Sequence, residues 1–322
     1  MTWTRSLRVK KPGVLATVQD CGRHGAARFG VSPSGAADWY SARAANLLVG
    51  NDPCAALVEI TLTGAIFDSP CDVRVAVTGA AAELTIDGRA ANAWRSHDVQ
   101  AGAVVAIGPA QRGARSYLAV DGGLEVPLVL GSASTDLGGA FGGLEGRALR
   151  AGDILPLGDV DAASERDPGR IRPALGYAPE SIPHWTSATV LRVLPGPHRE
   201  RLSERALHEL ARRSYAVSSR STRQGLSLEG DALELDRPTE IVSAGACAGC
   251  VQITGSGLPI VLLAEHQTTG GYATVACVTS ADMSRAGQLS ASDTVRFEFV
   301  TQTDAAHALA AMRRLLGTAL PL

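Results

Sequence analysis

Lysine is almost absent from this chain. Among 30 Lys and Arg residues in a sequence of 322, only Lys10 and Lys11 are lysines, adjacent to each other. The chain therefore has no GxxxxGK[ST] phosphate loop, no Met-Lys-Met biotin-attachment site and no lysine placed for a buried Schiff base. Any ATP or biotin chemistry has to take its nucleotide site or its carrier from another chain. A GxSxG elbow is missing as well, which argues against a lone serine hydrolase. Charge of one sign is not in excess. The net charge is −2 and the charges are scattered, so neither nucleic acid nor an anionic membrane surface is an expected partner. The opening stretch MTWTRSLRVKKPG holds no apolar signal core, and no apolar run is long enough to span a bilayer. A cytoplasmic protein is the expectation.

What is present fits a globular chain: 45% apolar residues, and length for a large core or two domains. With no secretion signal, the six cysteines read as free thiols. Cys247 and Cys250 form a single CxxC. No second pair or well-spaced histidines follow it, so two small residues near a strand start are expected there, and no metal.

The stretch with most chemistry runs from Leu258 to Val278, LPIVLLAEHQTTGGYATVACV. It reads as two buried strands joined by a polar connection broken at Gly270-Gly271. Glu265, His266, Gln267, Thr268, Thr269 and Tyr272 are more polar groups than a simple reversal needs. Glycines let backbone N–H groups face a ligand, and Gln and Thr supply directional hydrogen bonds. The alternative is an ordinary hairpin with a solvated tip. A second polar loop, Thr17 to Asp38, carries Asp20 and Arg23, which either face a ligand or pair to brace the loop. A third, Asp121 to Gly152, is glycine-rich and offers Ser132, Ser134, Thr135 and Arg147. It suits a carboxylate or phosphate, unless Arg147 only caps a turn.

Short strand-like runs fill the first half: Leu7–Val9, Val14–Val18, Leu57–Leu62, Val73–Val77, Ala82–Ile86, Val104–Ile107 and Ser116–Val120. A helix is predicted from Asp38 to Val49 with Gly50 at its C′ position. That density of strands argues for a closed or nearly closed barrel. Residues 159–186 are polar, Pro-rich and aperiodic, marking a linker between a first domain, 1–158, and a second, 187–322. In the second half a helix is predicted over His198–Ser214 and another from an Asp304 N-cap to Gly317, with strands between, including Ala232–Leu235. The halves echo each other in order, for example Leu7-Arg8-Val9 before Pro12-Gly13 and Leu191-Arg192-Val193 before Pro195-Gly196, as two related β-barrels would.

TVQDCGRHGAARFGVSPSGAAD, LVEITLTG, RSYLAVDGG, VPLVLGSAST, LPGP and LLAEHQTTGGY occur in an order that resembles the biotin-dependent carboxyltransferase-like family. That family includes allophanate-hydrolase subunit 2, the antagonist of the kinase inhibitor KipI, the C component of 5-oxoprolinase and the carboxyltransferase part of urea carboxylase. The resemblance implies a mainly β protein of two tandem cyclophilin-like β-barrel domains with a few helices. It also implies a partner like allophanate-hydrolase subunit 1 (a KipI-like protein, the B component of 5-oxoprolinase), with ATP acting through that partner on a small amide such as 5-oxoproline. On this reading Gln267, Thr268 and Tyr272, with Gln252, orient the amide over Gly270 and Gly271. Arg147, with Ser132 and Thr135, holds a carboxylate or phosphorylated intermediate, and Asp20 and Arg23 complete the site. Carboxyl transfer, with biotin supplied by another chain, and non-catalytic capture of a KipI-like protein are the alternatives. Two departures stand out. Ser221 to Gly225 reads STRQG where the family shows Ser-Asp-Arg-Met-Gly, and Glu265-His266 stands where it shows Asp-Arg.

Overall fold

The computed structural model describes residues 5–160, 173–235 and 237–321. They form a mainly β protein that divides into two compact units. Unit 1 comprises Met1–Arg23, Trp39–His184 and Arg314–Leu322; unit 2 comprises His24–Asp38 and Trp185–Arg313. The sequence pattern ran each domain as one unbroken stretch. In the structure residues 24–38 group with the second unit and 314–322 with the first. Part of the expected linker, 161–172, lies outside the described residues. Its later part, 173–184, belongs to unit 1.

Unit 1 contains β1 (Ser6–Lys11), β2 (Leu15–Gln19), β3 (Leu57–Thr61), β4 (Ala65–Asp68), β5 (Val73–Ala81), β6 (Leu84–Ile86), β7 (Arg89–Ala91), β8 (Ser96–Val99), β9 (Val104–Ile107), β10 (Arg112–Val120), β11 (Ile154–Pro156) and β12 (Leu175–Gly176). One sheet runs β11-β1-β4-β9-β6-β7 and the other β2-β3-β10-β5-β8. Alternation places Leu7 and Val9 inward on β1 with Arg8 and Lys10 outward. They meet Phe67, Val105, Val58, Ile60, Val75 and Leu118 in one core. Each such side chain contributes about 1.5–3 kcal/mol by burial. β5, in contrast, is buried at eight consecutive positions. The helix α1 (Trp39–Val49) explains this, because it covers the second face of β5 and β10. The Thr78 hydroxyl donates to the Ser41 carbonyl there (2.6 Å). Gly50 ends the helix at φ 82°, as predicted, with its N–H on the Leu47 carbonyl.

Cys21 and Cys54 are joined by a disulfide across 33 residues, which corrects the reading of six free thiols. Their distance in sequence hid the pairing; α1 and its return to β3 bring them together. Residues from the expected linker are also structured. β12 pairs with β22 (Leu320–Pro321), and the Tyr177 hydroxyl donates to the Leu316 carbonyl (2.6 Å). Tyr177 stands edge-on to Trp94, which in turn meets Tyr40.

Unit 2 contains β13 (Ala188–Pro195), β14 (Tyr215–Val217), β15 (Gly225–Glu229), β16 (Glu240–Gly245), β17 (Cys250–Ile253), β18 (Pro259–Leu262), β19 (Thr269–Tyr272), β20 (Thr274–Val278) and β21 (Thr294–Phe299). Seven of them close a barrel in the order β13-β20-β17-β18-β15-β14-β21, and β16 and β19 pair with each other outside it. The ring closes by the parallel pairing of β13 with β21, and Leu191, Val193, Val251, Val261, Val275 and Phe297 fill it. The two apolar runs of the 258–278 stretch become β18 and β20, which are not direct neighbours: β17 lies between them. The expected strand at Ala232–Leu235 does not form. The expected helix over His198–Ser214 shortens to α2 (Glu204–Arg212), because the Ser203 hydroxyl caps it by accepting from the Ala206 N–H (3.3 Å). After the short α3 (Met283–Ala286), α4 (Gln302–Leu316) spans the boundary between units. Its cap is Thr301 rather than Asp304. The Asp304 N–H donates to the Thr301 hydroxyl and the Asp304 carboxylate accepts from the Thr301 N–H, both at 3.1 Å, as in a capping box.

Within unit 2, residues 24–38 are held at three points. Arg223 donates to the Gly35 carbonyl (2.6 Å), Gln288 donates to the Asp38 carboxylate (2.8 Å), and Gly287 lies flat against Ala37. A Cβ at Gly287 would stand 2.2 Å from the Ala37 carbonyl oxygen. Gly287→Ala is therefore expected to destabilise unit 2 by about 1–3 kcal/mol and to expose 24–38 to protease. An unchanged urea midpoint and cleavage pattern would show that this contact is dispensable.

Candidate functional site

The residues singled out in the sequence divide between the units, and in unit 1 Arg147 has partners of its own, apart from those of Asp20. In unit 1, Asp20 follows β2 and its carboxylate is filled by the chain itself. It accepts from the Ser132 hydroxyl (2.7 Å), the Ala133 N–H (2.6 Å), the Ser134 hydroxyl (2.5 Å) and the Gly22 N–H (2.7 Å). The Thr135 hydroxyl donates to the Val18 carbonyl (3.0 Å), so 132–135 is stitched to the end of β2 over its whole length. Arg23 is buried, donates to the Ser134 carbonyl and lies over the Phe141 ring, 4.7 Å from its centroid. Bracing is thus the role the geometry gives Asp20 and Arg23, through Ser132 and Ser134.

Arg147 is engaged within its own loop. It meets Asp153 at 2.7 Å and Glu145 at 2.8 Å. The hydrogen bond with Asp153 holds the guanidinium above its ordinary pKa. Burial alone would raise the Asp153 carboxyl, but hydrogen bonds from Arg147 and the Arg150 amide outweigh it and hold Asp153 below its usual range. The turn-bracing reading describes Arg147 as it stands. Glu59, which alternation puts on the face of β3 opposite Val58 and Ile60, is buried, accepts from the Tyr117 hydroxyl (2.9 Å) and lies 3.6 Å from Arg115. A lone acid inside LVEITL was the available signal.

In unit 2 the polar connection between β18 and β20 is built around amides. Gln252 is buried on β17, while Gln267 is exposed and reaches down to it, donating from Nε2 to Gln252 Oε1 at 3.5 Å. Gly270 lies against the same amide, and a Cβ there would stand 2.7 Å from Gln252 Nε2. The β16–β19 pairing carries Gly270, Gly271 and Tyr272, with Tyr272 38% exposed. Thr268 is fixed through its backbone, its carbonyl accepting from the Ala246 N–H (2.9 Å). His266 is buried, with Nδ1 2.7 Å from the Gln267 carbonyl. Of the residues singled out in this unit, Gln252, Gln267 and Gly270 meet directly, while Thr268, Gly271 and Tyr272 lie on the same connection and its β16–β19 pairing.

What that reading missed is the pair beneath. Arg223, from STRQG, meets Glu265 at 2.7 Å with both side chains buried. The Glu265 N–H also donates to the Arg223 carbonyl (2.9 Å). The pair joins the two motifs in which the departures fall: Arg223 keeps the arginine of the first motif, and Glu265 keeps an acid where the second shows Asp. The same Arg223 holds Gly35, and the Ser32 hydroxyl donates to the Ala264 carbonyl (3.4 Å), so the 24–38 segment borders this cluster.

Chemically, the cluster is a donor–acceptor platform rather than a charged one. Its one ion pair is internally neutralised, and two primary amides present both hydrogen-bonding senses. Among the described residues no group of three His, Cys, Asp or Glu side chains is disposed to hold a metal ion. No described helix is long and apolar enough to cross a membrane. A hollow of about 600 Å³ in unit 1, lined by Lys11, Gly13, Thr63, Glu83 and Ile107 among others, includes none of the predicted site residues.

The family model for the carboxyltransferase domain, subdomains A and B, matches residues 29–299. The chain is 39% identical to the 5-oxoprolinase C component of Escherichia coli over 292 residues, covering 90% of both chains. To the 5-oxoprolinase C component of Haemophilus influenzae it is 36% identical over 291 residues, again covering 90% of both. Among solved structures it is similar to K. lactis urea amidolyase, with a TM-score of 0.88 and 28% identity. That match covers 97% of this chain and 20% of the longer one.

The Asp20 cluster yields a direct test. Asp20→Ala leaves two hydroxyls and an amide of 132–134 without their acceptor, and is expected to lower stability by about 3 kcal/mol. Urea unfolding measures this, and a variant as stable as the parent would free Asp20 for a ligand role.

Proposed function

Because the chain belongs to the family of carboxyltransferase domains, subdomains A and B, we propose that it is one component of an ATP-dependent amide-processing enzyme, equivalent to the C component of 5-oxoprolinase. It acts with a partner resembling the B component of 5-oxoprolinase (an allophanate-hydrolase-subunit-1 or KipI-like protein) on a small amide such as 5-oxoproline. ATP enters through a partner, since this chain has neither a phosphate loop nor lysines beyond Lys10 and Lys11.

The observation that carries this reading is the Gln252–Gln267 pair. A lactam presents one N–H and one C=O side by side, and a primary amide presents the matching acceptor and donor. At 3.5 Å the bond between the two glutamines is at the outer limit of hydrogen bonding, so exchanging it for bonds to a substrate amide costs little. Gln252 is fixed by burial and Gly270 keeps the space above it open to backbone approach. Thr268 and Tyr272 belong to the same connection, and the chain's role is to position and polarise rather than to form a covalent intermediate. The high similarity to the 5-oxoprolinase C component along 90% of both chains supports the substrate class.

In the complex reconstituted with its partner chains, Gln267→Ala is expected to lower 5-oxoproline-dependent ATP turnover at least tenfold. It should leave the thermal unfolding of this chain unchanged, because Gln267 is exposed. Turnover equal to the parent would remove the amide pair from the site.

The likeness to K. lactis urea amidolyase favours a second reading, transfer of a carboxyl group from a biotin carried on another chain. The ureido ring of biotin offers the same paired N–H and C=O to the two glutamines. Excess avidin separates the readings: activity that survives it excludes carboxyl transfer, and activity that vanishes excludes a biotin-free amide reaction.

A further inference from the structure

Three of the chain's thiols converge where β17 begins. Cys247 and Cys250 flank a turn closed by the Cys250 N–H on the Cys247 carbonyl (3.2 Å), and their sulfurs stand 3.5 Å apart. Gly249, at φ 90°, makes the turn possible, because a Cβ there would press on the Val278 carbonyl at 2.9 Å. Cys250 faces Cys277 across the β17–β20 ladder. The Val278 N–H donates to the Gly249 carbonyl (2.8 Å), which makes Cys250 and Cys277 a non-hydrogen-bonded pair with side chains at close approach. Exposure is graded: Cys247 is exposed, Cys277 half-buried and Cys250 buried. The three are not disposed to hold a metal ion. None belongs to the amide cluster assigned above.

From the turn, the sulfur separation and the graded exposure, we propose that Cys247 and Cys250 form a reversible dithiol–disulfide site that reacts with low-molecular-weight disulfides, with Cys247 as the entry thiol and Cys250 as the resolving one. A turn closed between the first and fourth residues brings their Cα atoms within about 7 Å, compatible with a disulfide, and the sulfurs need only close to about 2.05 Å. In the resting pair the thiolate lies on Cys250, so exposure and not acidity makes Cys247 the entry thiol. The Cys247 thiol, then the Cys277 thiol, donates to the Cys250 sulfur and holds it well below the usual thiol range, while donation to Cys250 holds Cys247 above it.

In the first step the Cys247 proton passes to the Cys250 sulfur. The Cys247 thiolate then attacks one sulfur of RSSR, the RS–SR bond breaks, and RS⁻ leaves. In the second step RS⁻ takes the Cys250 proton, and the Cys250 thiolate attacks the Cys247 sulfur. The protein disulfide forms, the mixed disulfide breaks, and the second RS⁻ is protonated from solvent in exchange for the proton of the original thiol pair. Two protein thiols are oxidised as RSSR is reduced to two RSH. The inference does not rest on the function proposed above.

Full-length protein equilibrated with oxidised glutathione, acid-quenched, alkylated and mapped by peptide mass tests this directly. Cys247 and Cys250 are expected to be lost together from the alkylated pool. Their peptide should be lighter by two hydrogens, with Cys71 still alkylated, and dithiothreitol should restore both. Cys277→Ser should give the same map, and Cys250→Ser should hold glutathione on Cys247. Full alkylation of Cys247 after oxidation, a Cys250–Cys277 link in place of the predicted one, or no adduct on Cys247 in Cys250→Ser would each overturn the proposal.

Discussion

The Asp20 carboxylate accepts four hydrogen bonds, three of them from the consecutive residues Ser132, Ala133 and Ser134, and the order of the long glycine-rich loop follows from that. A segment with glycine at this density costs more backbone entropy to fix than ordinary chain, so it needs an anchor stronger than a neutral hydrogen bond. An ionised acceptor supplies it, since bonds to a charged group contribute about 1.5–3 kcal/mol each. With 132–135 tied to the end of β2, Arg23 can lie over Phe141, and Gly142 and Gly143 can press against Ser134 and Thr135 at distances no Cβ would permit. Groups that look like ligand-binding residues in the sequence are thus consumed in holding each other.

Unit 2 solves the corresponding problem with a buried ion pair, Arg223–Glu265, that also reaches the 24–38 segment through Gly35. A buried pair adds modest net stability, but removing one partner costs about 3–5 kcal/mol. Its consequence is specificity of arrangement: the chain at 264–266, 223 and 35 has one way to be together. Gln267 follows Glu265 by two residues and reaches Gln252, one amide exposed and the other buried.

Much of this was legible in residues alone. Period-two alternation gave the strands, Gly50 the end of α1, and the order of short motifs the family. The polar content of one connection drew notice to Gln267, which the structure places against Gln252 of the neighbouring strand. Other features were out of reach for definite reasons. Arg223 and Glu265 are separated by 42 residues, and Asp20 and Ser132 by 112; no periodicity links them. Cys21 and Cys54 meet only because α1 intervenes and returns. The grouping of 24–38 with unit 2 depends on the close approach at Gly287, which leaves no mark in local propensity. Thr301 was passed over as a cap because Asp304, its reciprocal partner, is the stronger-looking signal.

The order in which these pieces leave a ribosome has a consequence of its own. Residues 24–38 are made early, yet the partners that hold them, Arg223, Gln288 and Gly287, emerge some two hundred residues later. Tyr177 in turn waits for Leu316, and β12 for β22. Vectorial synthesis lets most multidomain chains complete one module before starting the next, but here unit 1 cannot be complete before unit 2 is made. Unit 2 can take up 24–38 only after residue 288 is made, and unit 1 is completed only by residues 314–321, so the module begun first is the last to be finished.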